Sequence, residues 1–114
     1  MRPMTQAKTT SDLDRATVRQ LRRIAHHLDP VVLVGEQGIS DAVVAETERA
    51  LADHELIKVK VHAGDREVRR ELAEALAAAT GAAIVQSIGK VSVLFRRNPE
   101  PDPKLSNLTR FSAA

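Results

Sequence analysis

The sequence predicts an α/β fold of the two-layer α+β kind, a small four-stranded mixed sheet with helices packed on it. Three observations predict it. Apolar residues switch repeatedly between a helical and a strand period, giving the order α-β-α-β-α-β-β. Helix-capping side chains, Ser40 and Asp65, stand where the period changes after the first two strands. Gly89-Lys90 separates the last two apolar runs as a two-residue turn with glycine first, as a type II′ hairpin requires. Strand-helix-strand units make the first three strands parallel through right-handed crossovers, and the closing hairpin makes the fourth antiparallel. A chain of 114 residues supports one such domain with a modest core.

Taken in order, residues 1–10 read as a flexible N-terminus and residues 11–97 as the domain. Ser11 or Asp12 is a suitable N-cap for a helix over about Leu13 to Leu28, whose Leu21, Ile24, Ala25 and Leu28 fall on one side. Arg15, Arg19, Arg22 and His26 fall on the opposite side, with Arg23 and His27 on the flank. Asp29-Pro30 stops the helix, and Val31–Val34 is apolar enough for a strand that is central or covered on both faces. Ser40 caps a second helix, about Asp41 to Asp53, with Val43, Val44, Thr47, Ala50 and Leu51 facing the core and a largely acidic outer side. Leu56–Val61 alternates like a half-buried strand, placing Lys58 and Lys60 on one face and Ile57, Val59 and Val61 on the other. Asp65 caps a third helix running to about Thr80, expected to bury Val68, Leu72, Ala75, Leu76 and Ala79 and to end at Gly81. Ala83–Ile88 and Val91–Arg96 form the hairpin. Residues 98–114 are rich in proline and lack an apolar period, so they are expected to be extended or disordered.

Composition removes several function classes. With no cysteine there is no disulfide framework, thiolate metal site or Cys nucleophile. No apolar run approaches the roughly 20 residues of a membrane span, and the start of the chain lacks the apolar stretch of a signal peptide, so a cytoplasmic protein is expected. Phe95 and Phe111 are the only aromatic residues of the Phe, Tyr and Trp class, which leaves little for stacking unpaired bases. Neighbouring His26 and His27 diverge by about 100° on a helix and have no ligand partner at i+4, so no metal is expected. Residues 1–30 hold six Lys/Arg against three Asp/Glu, and residues 82–114 five against two, whereas residues 31–81 hold six against ten. A fold that joins the two ends would gather a positive patch.

Gly35-Glu36-Gln37-Gly38 lies between the first strand and the capped second helix. Two glycines let the main chain approach a bulky anion, and the helix behind presents unpaired N–H groups and a positive dipole end. The suited guest is a phosphate. The same tetrad also makes an ordinary strand-to-helix turn, and a basic stripe on a helix is also what a solvated face looks like. Lys58 and Lys60 can equally protect a strand edge. A nucleotide-dependent enzyme would need Gly-Lys-Ser/Thr or a third glycine with a downstream acid, and neither is present.

The ordered combination of Leu21–Leu28, Pro30–Gly35 with Gly38, His54–Lys60, Gly81, Ile88-Gly89-Lys90 and Leu94-Phe95-Arg96 resembles YhbY-type proteins, free-standing bacterial versions of the CRM (chloroplast RNA splicing and ribosome maturation) domain. The resemblance covers roughly residues 15–97. It implies a fold similar to the C-terminal domain of translation initiation factor three, with strand order 1-2-4-3, and binding to ribosomal RNA in precursors of the large subunit. By matching position it implies RNA contacts at Gly35, Glu36, Gln37 and Gly38, at the basic face of the first helix (Arg15, Arg19, Arg22, Arg23 and His26), and at Lys58, Lys60, Lys90 and Arg96. KH-like versions of the loop often carry basic residues where Glu36 and Gln37 stand here, which leaves the backbone N–H groups as the better phosphate donors. The expected protein is a monomeric, non-enzymatic RNA-binding domain with no cofactor, small-molecule substrate or membrane partner. The alternative is a protein-binding module of the assembly machinery acting through the acidic second helix.

Overall fold

The structure, a computed structural model, describes residues 13–111; the flexible start expected over residues 1–10 lies outside the described residues. The elements are α1 (Arg15–Ala25), β1 (Pro30–Val34), α2 (Asp41–His54), β2 (Leu56–Val61), α3 (Arg66–Thr80), β3 (Ala83–Ile88), β4 (Val91–Phe95) and α4 (Asn107–Phe111). The four strands form one sheet in the order β1-β2-β4-β3. β1 runs parallel to β2, and β4 is antiparallel to both β2 and β3, so β1, β2 and β3 share a direction.

Each of the three long helices starts on a polar side chain that satisfies an otherwise orphaned N–H. Ser40 Oγ accepts from Val43 at 3.1 Å and Asp65 Oδ1 from Val68 at 3.0 Å. For α1 the cap is Asp14, whose Oδ1 accepts from Thr17 N–H at 2.7 Å. Ser11 and Asp12 lie outside the described residues, and α1 ends at Ala25, short of the expected Leu28. The Thr17 hydrogen bonds hold the Asp14 carboxyl below the usual carboxylate range, so its capping is in place above that range and is lost as pH falls through the lowered value. Gly81 closes α3 in the left-handed region at φ 71°, and Gly89 (φ 58°) opens the hairpin turn.

Two apolar clusters divide the molecule across the sheet. On one face α2 and α3 bury Leu51, Leu76 and Ala77 against Val32, Val34, Ile57, Val59, Val61 and Leu94. On the other, α1 buries Leu21, Ile24 and Ala25 against Leu56, Val85, Val93 and Phe95, with Leu108 of α4 packed alongside. The second cover is partial.

Three expectations change. β1 is not covered on both faces: it is an edge strand, with Val32 and Val34 buried but Val31 48% and Leu33 58% exposed. The cluster under α1 takes residues from β2, β3 and β4 and none from β1, so among the described residues the outer face of β1 is left partly open. Along α3 the buried stripe is Ala73, Leu76, Ala77 and Thr80 with Leu72 beside it, while Val68, Ala75 and Ala79 face outward. In the run Ala75–Ala79 the small side chains at 75, 77, 78 and 79 carry almost no phase information. The segment after residue 97 is neither extended nor disordered over its described part. It folds back through polar contacts that apolar periodicity cannot reveal. Asn98 N–H and Ser106 Oγ donate to the two carboxylate oxygens of buried Glu55 at 2.6 and 2.7 Å, Asn107 Nδ2 donates to Leu56 O at 2.7 Å, and Asn98 Nδ2 donates to Ala52 O. Of the expected tail, residues 112–114 lie outside the described residues.

Ser106→Ala leaves one oxygen of a buried carboxylate unmet and should cost about 1–3 kcal/mol in urea denaturation. A chain ending at residue 97 should lose more. Equal denaturation midpoints for the truncated and full chains would show that the tail contributes nothing to stability.

Candidate functional site

β1 and β2 end together. Val34 pairs with Val61, His62 N–H donates to Val34 O at 2.7 Å, and Val61 N–H donates to Lys90 O at 2.7 Å. The Gly35–Gly38 turn, the start of α3 and the hairpin tip therefore gather at the carboxyl ends of the parallel strands, where open sheets of this kind leave room for ligands.

The glycine turn is closed by a Gly38 N–H to Gly35 O bond of 3.0 Å, and Ser40 N–H returns to Gly38 O at 3.1 Å. Glu36 and Gln37 are exposed at its tip, and their N–H groups have no acceptor among the described residues. The two glycines differ in kind. Gly38 sits at φ 73°, a conformation that costs other residues about 1–2 kcal/mol. Gly35 needs no positive φ, and a Cβ built on it meets nothing within 4 Å. Conformation explains Gly38, whereas nothing among the described residues requires Gly35 to lack a side chain, and its bare Cα is open to close approach.

Beside this loop lies the part of the sheet that α1 leaves uncovered. Strand register sets Leu33, Lys60, Val91 and Ile88 in one row across β1, β2, β4 and β3, and Lys58, Val93 and Gln86 in the next. Leu33 is 58% and Ile88 66% exposed, so this row is basic and apolar side by side. The second row meets α1 in a groove of about 350 Å³ lined by Arg22, His26, Lys58 and Gln86 among others. Arg15, Arg19 and Arg23 continue the exposed side of α1. The sequence points to Lys58 and Lys60 without their apolar neighbours. An exposed leucine or isoleucine in an apolar strand looks like core until the strand order is known.

The structure brings the loop, Lys60 and Lys90 to one end of the sheet, and Lys58, Arg22 and His26 to the adjoining groove. It does not bring Arg96 there. Arg96 Nη1 lies on the α2/α3 side, donating to Glu48 Oε1 at 2.7 Å and to Thr80 O at 2.9 Å, and so ties β4 to α2 and to the C-terminal end of α3. Lys90 Nζ is 3.4 Å from His62 Nδ1.

Residues 13–96 match the CRS1 / YhbY (CRM) domain family. The chain is 49% identical over 94 residues to a Pseudomonas aeruginosa protein named "Probable RNA-binding protein", covering 82% of this chain and 90% of that one. It is 49% identical over 80 residues to a Haemophilus influenzae protein named "RNA-binding protein", covering 70% and 81%. Among solved structures, that of a hypothetical Staphylococcus aureus protein superposes with a TM-score of 0.69 at 36% identity, covering 77% of this chain and 92% of that one.

Stability should separate the glycines. Gly38→Ala is expected to lower unfolding free energy by about 1–2 kcal/mol and Gly35→Ala to stay within about 0.5 kcal/mol of wild type. Arg96→Met, which strips a charge-assisted hydrogen bond from Glu48 and a helix end, should cost about 1.5–3 kcal/mol in the same urea titration. An Arg96→Met protein as stable as wild type would return Arg96 to the candidate RNA-binding residues.

Proposed function

Because the chain belongs to the CRS1 / YhbY (CRM) domain family, we propose that it is an RNA-binding protein that acts on structured ribosomal RNA during assembly of the large ribosomal subunit. It works as a monomer in the cytoplasm and binds without catalysing a reaction. One observation carries the reading: the half-open sheet face on which Lys58 and Lys60 stand between the glycine turn and the basic side of α1. This surface offers charge without an aromatic platform, and so suits a phosphate backbone better than splayed bases.

The parts divide the work. Free N–H groups of Glu36 and Gln37, with the positive end of α2 behind them, take a phosphate that approaches the bare Cα of Gly35. The Glu36 side chain is an acceptor at the exposed tip and offers a phosphate no donor, so the backbone is the donor. Lys58, Lys60, Arg22 and His26 hold the adjoining strand by charge, and Leu33 and Ile88 cover ribose and base edges that would otherwise stay wet. The backbone and the basic residues position the RNA by its phosphates.

Binding to ribosomal RNA fragments should weaken with salt at about 0.7–0.9 units of log affinity per unit of log salt for each phosphate neutralised. Arg19→Glu with Arg22→Glu should abolish most of the affinity while changing stability by less than about 0.5 kcal/mol per site, since both face away from the core. Gly35→Asp should weaken binding in a protein that stays folded, and Glu36→Lys should bind at least as well as wild type. Salt-independent binding, or none at low salt, would sink the RNA reading; a Gly35→Asp protein that binds normally would move the site off the loop.

A further inference from the structure

The β3–β4 hairpin has a second side. Side chains alternate along a strand, so while Gln86, Ile88 and Val91 look toward α1, Ser87 and Ser92 look the other way, paired across the strands with hydroxyls 3.0 Å apart. They line a separate groove of about 420 Å³ whose walls are Arg66, Arg69 and Arg70 of α3 and Lys90 of the hairpin. Among the described residues, four cations line it and no carboxylate does.

These charges are poorly matched within the protein. Arg66 has no partner among the described residues, and Lys90 reaches a histidine ring. Arg70 meets Glu67 at 3.2 Å, but the two side chains are 61% and 70% exposed, where water weakens such a pair. Arg69 Nη1 donates to Gly64 O at 3.0 Å, while its Nε is buried without an acceptor. Asp65, at the head of the same helix, is engaged with the Val68 N–H. Guanidinium forks, two hydroxyls and the positive end of a 15-residue helix together present donors on several sides of one small space. A tetrahedral oxyanion fits that donor set.

We propose that this groove is a second phosphate site of the RNA interface, reached by a backbone that passes round the Gly89-Lys90 tip from the open sheet face to the α3 side. The inference rests on the RNA-binding reading above and adds a phosphate site on the opposite face of the sheet. The two grooves share the hairpin as their common wall, and Lys90 stands at the tip where the strand must turn.

The test uses the full chain and a labelled ribosomal RNA stem-loop, with affinity read by fluorescence anisotropy across a salt series. Arg66→Gln with Arg70→Gln should reduce the salt slope by about 0.7–0.9 units, the value for one phosphate no longer neutralised, with an unchanged circular dichroism spectrum. Lys90→Gln, on the facing wall, reads the same slope should the double variant misfold. An unaltered slope and affinity in the folded variants, with Arg19→Glu/Arg22→Glu still deficient, overturns the groove and leaves the RNA reading standing. A wild type that binds no RNA overturns both. Inorganic pyrophosphate titrated into labelled protein separates a small phosphate ligand from RNA. Saturating amide shifts at Gly89 and Lys90 that RNA competes away support the proposal; shifts that RNA leaves untouched overturn it.

Discussion

Glu55 stands at the one residue between α2 and β2, and every group it offers is taken. Its N–H donates to Leu51 O at 2.9 Å to finish the helix, and its carbonyl accepts from Arg96 N–H at 2.9 Å, just past the end of β4. Its carboxylate, on a residue only 2% exposed, receives Asn98 N–H and Ser106 Oγ. A carboxylate removed from water is tolerated only when its oxygens are met, and a non-glycine residue at φ 64° is tolerated only when its surroundings fix it there. Helix, strand and returning tail thus depend on one another at this point. With no loop to absorb slack, α2 enters β2 at a set angle, and the tail has to be where it is.

The open face follows from that arrangement. The tail places α4 against α1 and β2, and Leu108 joins the cluster that α1 makes with Leu56, Val85, Val93 and Phe95. α1 is held over the end of the sheet where β2 begins. The remainder of that face, toward the carboxyl ends of β1 and β2, is left to Lys58, Lys60, Leu33 and Ile88. Burial elsewhere in the domain keeps this area free, and the same placement sets the basic side of α1 beside it as a wall.

Much of this is legible in the sequence, for reasons that are local. Ser40, Asp65, Gly81 and Gly89 act within a turn of where they stand, so residue type alone reveals the helix starts, the helix stop and the hairpin. The 1-2-4-3 strand order is legible through the family resemblance, since pairing between distant strands leaves no mark on either. What stays hidden depends on long-range partners or on averaging. The alanines of α3 conceal its phase, and Val31 and Leu33 look buried because an edge strand and a central one can share a composition. Ser106 and Asn107 are polar residues whose burial makes sense only beside Glu55 and Leu56. Arg96 looks like any basic residue near a hairpin until Glu48 and Thr80 come beside it. Arg66, Arg69 and Arg70 vanish into a segment whose charges sum to an acidic total.

The return of the tail also sets an order of events at the ribosome that makes the chain. Ser106 lies 51 residues beyond the carboxylate it satisfies. When α2 and the four strands have emerged, Ser106 and α4 are still held inside the ribosome, so one donor to Glu55 is withheld and α1 has not yet gained α4 as its neighbour. Until they arrive, one carboxylate oxygen at the junction of helix and sheet lacks its protein donor and is left to water. Final locking of α1, and with it the definition of the basic wall, is a late event in translation. A basic wall completed in that order takes its final shape only once the chain behind it has left the ribosome.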